Sequence, residues 1–329
     1  RLIVTDSTYN KAIVDFSITY KNIQHAVPSM AQTLWIVPGF IARNEEGNIT
    51  TLGRGGSDYT AAIFAAALQA SVLQIWTDVS GLMTADPRVV RHAKVIQRIP
   101  YQEAMELSHF GAKVIYPPTL QPAMQSSIPV WIKNTFAPED HGTIIENNII
   151  HTKGTICGIS SVSDIALISL EGSGMIGIPG YSKCLFETLA ANEINVILIT
   201  QASSEHSICV GIEASYASKA KKVIDKAFAY EINRRLVNPI IVEQDLSIAA
   251  LVGDNMKNHA GTSGKMFGAL GRNGINVRAI AQGSSERNIS AVIATADVKK
   301  AVNVLHEEFF ETTYKQVNVF IVGTGNVGS

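Results

Sequence analysis

The run Gly53-Arg54-Gly55-Gly56-Ser57-Asp58 places three glycines, a guanidinium and a carboxylate side by side. Glycine lets the backbone approach a ligand closely. The helix expected to follow presents free N–H groups and a partial positive charge at its start. Such a loop, built from Gly53, Gly55, Gly56 and Ser57, suits a phosphate or a carboxylate, and Arg54 adds a rigid two-pronged donor for either anion. Asp58 in the first helical turn suits an ammonium group. Arg54 and Asp58 together therefore fit an amino-acid zwitterion beside a phosphate loop. The same residues also read as a tight turn, with Ser57 or Asp58 as a simple helix N-cap and Arg54 in a surface ion pair.

Three further runs carry chemistry. An apolar strand pattern ends in Thr77-Asp78, the place where open α/β sheets bind ligands, and Asp86-Pro87-Arg88 follows as a rigid turn presenting an acid and a base. Met83 between them suits the wall of an adenine slot. The bland alternative is a loop with a capping Asp and a Pro turn. Lys113 follows a glycine and precedes an apolar strand, so it is either a solvated charge or a point charge for nucleotide phosphates. The last run occurs twice: Ile199-Thr200-Gln201 and Ile280-Ala281-Gln282 close two similar strands. Positions i and i+2 share a strand face, so each pair offers an apolar wall with a donor and an acceptor beside it, which suits a small ligand bearing a methyl and a hydroxyl. Gly172, Gly174 and Gly177 precede a helix and offer N–H groups to a carboxylate. Solvent-facing strand ends are the alternative for both glutamines.

The elements that must hold these residues follow from periodicity. Residues 34–40 read as a strand, 50–52 as a short extended piece, 59–70 as an Ala-rich helix buried on several sides, and 72–76 as a strand. Residues 101–110 read as an amphipathic helix and 128–133 as a buried strand. The second half is an internal repeat: residues 192–205 recur at 273–286 with a constant offset of 81. In copy one the elements are 165–170, 181–191, 194–201, 207–213 and 216–228. In copy two they are 246–252, 263–270, 275–282, 289–295 and 297–309. That order suggests two ferredoxin-like βαββαβ modules rather than a solenoid of short units. The expected fold class is thus α/β, an incomplete open sheet over residues 1–150, then modules at 155–235 and 240–313.

Composition narrows the function classes. The chain has 329 residues, 46% of them hydrophobic and 17% charged, with a net charge of −1. It has the material for a packed core and no electrostatic footprint for nucleic acid or a membrane surface. The three cysteines are scattered and the eight histidines form no metal-ligand spacing, which suits a cytoplasmic protein without a protein metal cage.

Taken in order and spacing, residues 51–60, 76–88 and 110–117 resemble aspartate kinases of the amino-acid kinase family, and Lys133-Asn134-Thr135-Phe136 resembles the end of that domain. The repeated pair resembles ACT domains. The resemblance implies that Arg54 grips the α-carboxylate of L-aspartate and Asp58 its ammonium. It also implies that Thr77, Asp78, Met83, Arg88 and Lys113 contact Mg-ATP. The phosphoryl acceptor is the substrate's own carboxylate, so no protein nucleophile is required and the metal rides on the phosphates. Glutamines at positions 201 and 282 resemble threonine-sensitive members joined to homoserine dehydrogenase, which implies L-threonine as effector, a homo-oligomer (dimer or tetramer) and a role in amino-acid biosynthesis. Gly323-x-Gly325-x-x-Gly328, within residues 316–329, resembles the opening of that dehydrogenase's NAD(P) domain. Two other readings stay open: a purely regulatory amino-acid-binding fragment, and a kinase for another acid such as glutamate or carbamate. The family's Lys-Phe-Gly-Gly-Thr-Ser motif does not occur in these 329 residues. The expected outcome is that this chain alone shows no aspartate- and ATP-dependent turnover in a coupled assay.

Overall fold

The computed structural model describes residues 2–9, 12–27, 34–109, 114–147, 156–201, 205–254, 256, 259–283 and 287–311. The first region builds two sheets. β1 (Val4–Thr5), α1 (Phe16–Ala26), β2 (Ile41–Asn44) and β3 (Ile49–Thr51) precede α2 (Gly56–Ala67) and β4 (Leu73–Thr77). Then come β5 (Arg98–Pro100), α3 (Tyr101–His109), α4 (Gln121–Gln125), β6 (Val130–Asn134) and β7 (Thr143–Glu146). β1, β2 and β3 form one sheet, and the other runs β4-β6-β7-β5, with β4 parallel to β6. α2 lies between two cores. Ala62, Ala65 and Ala66 pack into the cluster under the four-stranded sheet, while Ile63 and Ala67 pack against Ile3, Ile23 and Ala42 on the other side. Its alanine richness follows, because only small side chains let both sides approach.

The strand expected at residues 34–40 does not form; pairing begins at Ile41. Pro38 has no N–H to give a ladder, and Phe40 adopts a left-handed backbone (φ 73) that turns the chain before β2. Leu34 and Ile36 are 88% and 89% exposed, so the apolar run is not a buried element in this chain. The helix expected at 59–70 starts earlier, at Gly56, within the glycine loop itself.

The second region has β8 (Gly158–Glu171), α5 (Tyr181–Ala191), β9 (Val196–Gln201), β10 (Ser207–Glu213), α6 (Ala217–Ala227) and α7 (Ala229–Asn233). It continues with β11 (Ile241–Val252), α8 (Thr262–Arg272), β12 (Val277–Gln282), β13 (Asn288–Ala294) and α9 (Val298–Phe310). The repeat is visible in detail. Gly180 and Gly261 both precede a helix with φ of 114 and 90. Lys219 and Lys300 each donate to the carbonyl at the end of the preceding helix, Asn192 O and Asn273 O, at 2.7 and 2.6 Å.

The two copies share one six-stranded sheet, ordered β12-β13-β11-β8-β10-β9. Each copy supplies three strands and borrows the fourth. Residues 241–243 pair with 167–169 and complete the first copy; residues 158–162 pair with 248–252 and complete the second. Asp164 (φ 63) and Asp245 (φ 58) sit at the bends where each long strand passes from one copy to the other. The sheet curls until β9 and β12 come within 8 Å, Cα to Cα. Its inner face buries Ile165, Leu167, Leu198, Leu246, Ile248 and Val292, while the helices cover the outer face in two clusters.

Because both copies share β8 and β11, they are expected to unfold together. Ile248 is fully buried on the inner face. Ile248→Ala is expected to cost about 2–5 kcal/mol and to shift one common transition, not one of two, in a calorimetric melt.

Candidate functional site

Thr77 and Asp78 end β4, where its parallel partner β6 ends in Asn134. Beyond them the chain turns at Gly81, whose φ of +121 excludes most side chains. Thr143 Oγ1 fixes the turn by accepting Leu82 N at 2.9 Å and donating to Ile96 O at 2.6 Å. The returning segment brings Met83, Asp86, Pro87 and Arg88 to face Thr77 and Asp78 across a cavity of about 450 Å³. Four of the five sequence-predicted nucleotide residues therefore line one space: Thr77, Asp78, Met83 and Arg88. Lys113, the fifth, lies outside the described residues; Val114, next in sequence, is on the cavity wall.

Asp86 and Arg88 form the acid–base turn read from the sequence. Arg88 Nε is 3.0 Å from Asp86 Oδ1 and Nη2 is 2.7 Å from Oδ2. These hydrogen bonds hold the Asp86 carboxyl below its ordinary value. Arg88 is 80% exposed, so its guanidinium can turn to an anion in the cleft while losing little.

Ile159, Ser160, Ser161 and Val302 also line the cavity. They come from β8 and α9, the repeat region. Nothing in the sequence pattern pointed to them, because they lie about 80 to 220 positions from Thr77–Arg88 and belong to no motif.

The glycine loop forms the start of α2. Gly55 is its N-cap, with φ 68, and no side chain caps the helix. Neither Ser57 nor Asp58 is thus the simple N-cap allowed by the sequence, and the Gly56 N–H donates to Gly53 O at 3.1 Å. Gly55 and Gly56 fit under close neighbours: a Cβ would stand 2.9 Å from Tyr116 Cβ at the first and 2.7 Å from Phe40 Cδ2 at the second. Among the described residues Arg54 makes no ion pair; its guanidinium lies 5.7 Å from the Tyr116 ring centroid. Burial raises the pKa of Asp58. Arg54 and Asp58 are not on the wall of the Thr77–Arg88 cavity, so the structure separates the predicted residues into two groups.

The repeat holds a further cleft, of about 330 Å³. Gln201 lines it with Met175, Gly177, Gly180, Tyr181 and Glu205. The start of α5 opens onto it, with Gly180 as an N-cap that has no side-chain partner. Gly177 N donates to Glu205 Oε2 at 2.9 Å. Gln282 holds the matching place in the second copy, where Ser263 Oγ lies 3.4 Å from its Oε1. Ile199 and Ile280 are 54% and 44% exposed beside their glutamines. Gln201 thus meets the glycine turn and helix start expected of it, while Ile199 stands outside the cleft lining.

These features define a class: an α/β domain with a cleft at its strand ends, fused to a tandem pair of modules that share one sheet. Residues 5–134 match the amino acid kinase family, and residues 168–228 and 250–309 match the ACT domain. A bifunctional aspartokinase/homoserine dehydrogenase of Haemophilus influenzae is 45% identical over 293 residues, 89% of this chain and 36% of that protein. One of Buchnera aphidicola is 37% identical over 328 residues, 100% of this chain and 40% of that protein. E. coli aspartokinase III, solved in complex with aspartate and ADP, superposes with a TM-score of 0.79 at 32% identity, covering 94% of this chain and 68% of that one. The chain belongs to the aspartate kinase family. It spans only 36% and 40% of the length of those two bifunctional relatives, which resemble it over nearly all of its own length.

The turn at Gly81 is the tightest point of the cleft. A Cβ there would collide with Thr143 Oγ1 and stand 3.0 Å from Thr143 N. Gly81→Ala is expected to lower stability by about 1–3 kcal/mol, read as a lower midpoint in urea at unchanged slope.

Proposed function

We propose that this chain is the nucleotide-side part and the regulatory part of an aspartate kinase that L-threonine controls. The observation that carries the kinase reading is the convergence of Thr77, Asp78, Met83 and Arg88 on one cavity of about 450 Å³. A volume of that size matches a nucleotide or its base and ribose. Met83, Leu107, Val114 and Val302 supply apolar wall, and Arg88 supplies a mobile cation at the rim for phosphate. Aspartate goes to the start of α2: its α-carboxylate to Arg54 and the positive end of the helix, its ammonium to Asp58. One of its β-carboxylate oxygens then forms a bond to the γ-phosphorus of ATP as the bond to the ADP oxygen breaks. Mg²⁺ carried in with the nucleotide would supply neutralisation of the developing charge. The protein's part is positioning and charge, which a division into two groups of residues suits. Aspartate and ADP in the crystals of E. coli aspartokinase III support this assignment.

For the effector, the support is the cleft beside Gln201. Its size fits one small amino acid, the start of α5 and the glycine turn suit a carboxylate, and Gln201 can both donate to and accept from a hydroxyl. Gln282 beside Ser263 is the second such place. Exposed Ile176 and Ile178, at 55% and 56%, support a homo-oligomer joined along this side. Residues 316–329, which the sequence likened to the opening of an NAD(P) domain, lie outside the described residues.

Calorimetry tests both parts. Threonine is expected to bind the chain and lysine not to. Gln201→Ala is expected to weaken threonine about tenfold, the worth of one to two hydrogen bonds. ADP is expected to bind in both cases. Lysine binding without threonine binding would refute the effector reading and leave the nucleotide reading standing.

A further inference from the structure

The segment that forms one wall of the nucleotide-type cleft is held from behind by the regulatory half. Thr84 sits between Met83 and Ala85, both on the cavity, and is itself buried. Every polar group it has is used. Its N–H donates to Lys94 O at 2.9 Å and its carbonyl accepts Ile159 N at 2.7 Å. Its hydroxyl accepts Lys94 N at 3.0 Å and meets His306 Nε2 at 2.9 Å. His306 belongs to α9, 222 residues further along the chain. Five residues beyond Thr84, the carbonyl of Val89 accepts Asn303 Nδ2 at 3.1 Å, from the same helix. Val302, the residue before Asn303, reaches the cavity itself.

The imidazole is an odd choice for stability alone. It is 1% exposed, stacked on Phe310 at 5.0 Å between centroids, and set among apolar side chains. Its second nitrogen, Nδ1, is buried with no hydrogen-bond partner among the described residues. Burying an unpaired polar atom costs stability, so a leucine here would suit the core better. Burial also lowers the pKa of His306 and keeps the ring neutral. Since the Thr84 hydroxyl already accepts the Lys94 amide, its own proton is available to Nε2. What the ring contributes is a directional bond to Thr84.

We propose that His306 and Asn303 are positioning residues for nucleotide binding. Helix α9 grips the cleft-forming segment at Thr84 and Val89, and so sets where Met83, Asp86 and Arg88 stand. Neither side chain need touch the nucleotide. A shift of α9 along its axis would move both anchors together, because residues 302, 303 and 306 share one helix face. The inference rests on reading the Thr77–Arg88 cavity as a nucleotide site, and it names the second ACT module as the part that holds that site in shape.

ADP binding to the full chain, measured by calorimetry, tests it. His306→Leu is expected to raise the ADP Kd about tenfold, the loss of one buried hydrogen bond, with a melting midpoint no lower than that of the parent chain. His306→Gln, whose amide can still meet Thr84, is expected to restore affinity to within about threefold. Thr84→Val combined with His306→Leu is expected to be no weaker than either alone. A purely structural role would give the opposite split: lower melting points with ADP affinity unchanged. Asn303→Ala decides the matter if the buried variants do not fold. It is half-exposed, and it is expected to weaken ADP without changing the response to threonine. Wild-type ADP affinity in both His306→Leu and Asn303→Ala overturns the positioning role alone. A parent chain that binds no ADP overturns the nucleotide reading and this inference with it.

Discussion

The rest of the structure depends on the antiparallel ladder between β8 and β11. These two long strands run side by side from residues 158–252 at one end to 169–241 at the other. Neither sensing module is complete without it, because each takes its fourth strand from the far half of the other's first strand. The ladder also reaches the kinase region. Gly158 packs so closely on Leu107 that a Cβ would stand 2.6 Å from Leu107 Cδ2. Cys157 N bonds to Val252 O at 2.8 Å, and Ser160 Oγ to Leu107 O at 3.3 Å. The strand that joins the modules is thus the strand that supplies Ile159, Ser160 and Ser161 to the Thr77–Arg88 cavity.

Magnitudes decide what holds this joint. The ion pairs around α8 and α9 are on the surface: Arg272–Glu308 at 3.0 Å has side chains 64% and 29% exposed. Such pairs contribute about 0–1 kcal/mol each. The cluster behind them buries Ala85, Ile159, Met266, Leu270, Ile293 and Leu305 among others. Each large apolar side chain buried there is worth about 1.5–3 kcal/mol. That cluster contains residues of the cleft segment, of β8 and of α9 together. The apolar effect provides the attachment between the kinase region and the ACT modules; the buried polar contact at Thr84 and the half-buried one from Asn288 Nδ2 to Glu106 Oε2, at 2.7 Å, set its register.

Two helix starts share one device. Each begins at a glycine of positive φ with no capping side chain: α2 at Gly55 and α5 at Gly180. An uncapped start leaves N–H groups for an external acceptor, and glycine is what allows the chain to enter the helix there. Beside the second, Glu205 accepts the N–H of Gly177, three residues ahead of the Gly180 cap.

Much of the site was legible in the sequence because its residues are local. Thr77, Asp78, Met83 and Arg88 lie within one turn and return of the chain, and Gln201 and Gln282 were marked by the repeat. The repeat also fixed the element order of both modules, since the same apolar spacing occurs twice. Three matters were not legible. The apolar run at 34–40 looked like a strand, but pairing needs a partner and a donor that Pro38 lacks. The exchange of strand halves leaves no trace in periodicity, because a strand of either module reads the same whichever neighbour it pairs with. Val302, Asn303 and His306 read as ordinary positions on an amphipathic helix; only the packing of α9 behind residues 84–89 brings them to the cleft. The sequence by itself determined which short segments bear the chemistry, since spacing along one strand, turn or helix is set by backbone geometry. The tertiary structure alone decided what stands behind those segments, since contacts between positions about 220 residues apart depend on how separate apolar faces pack.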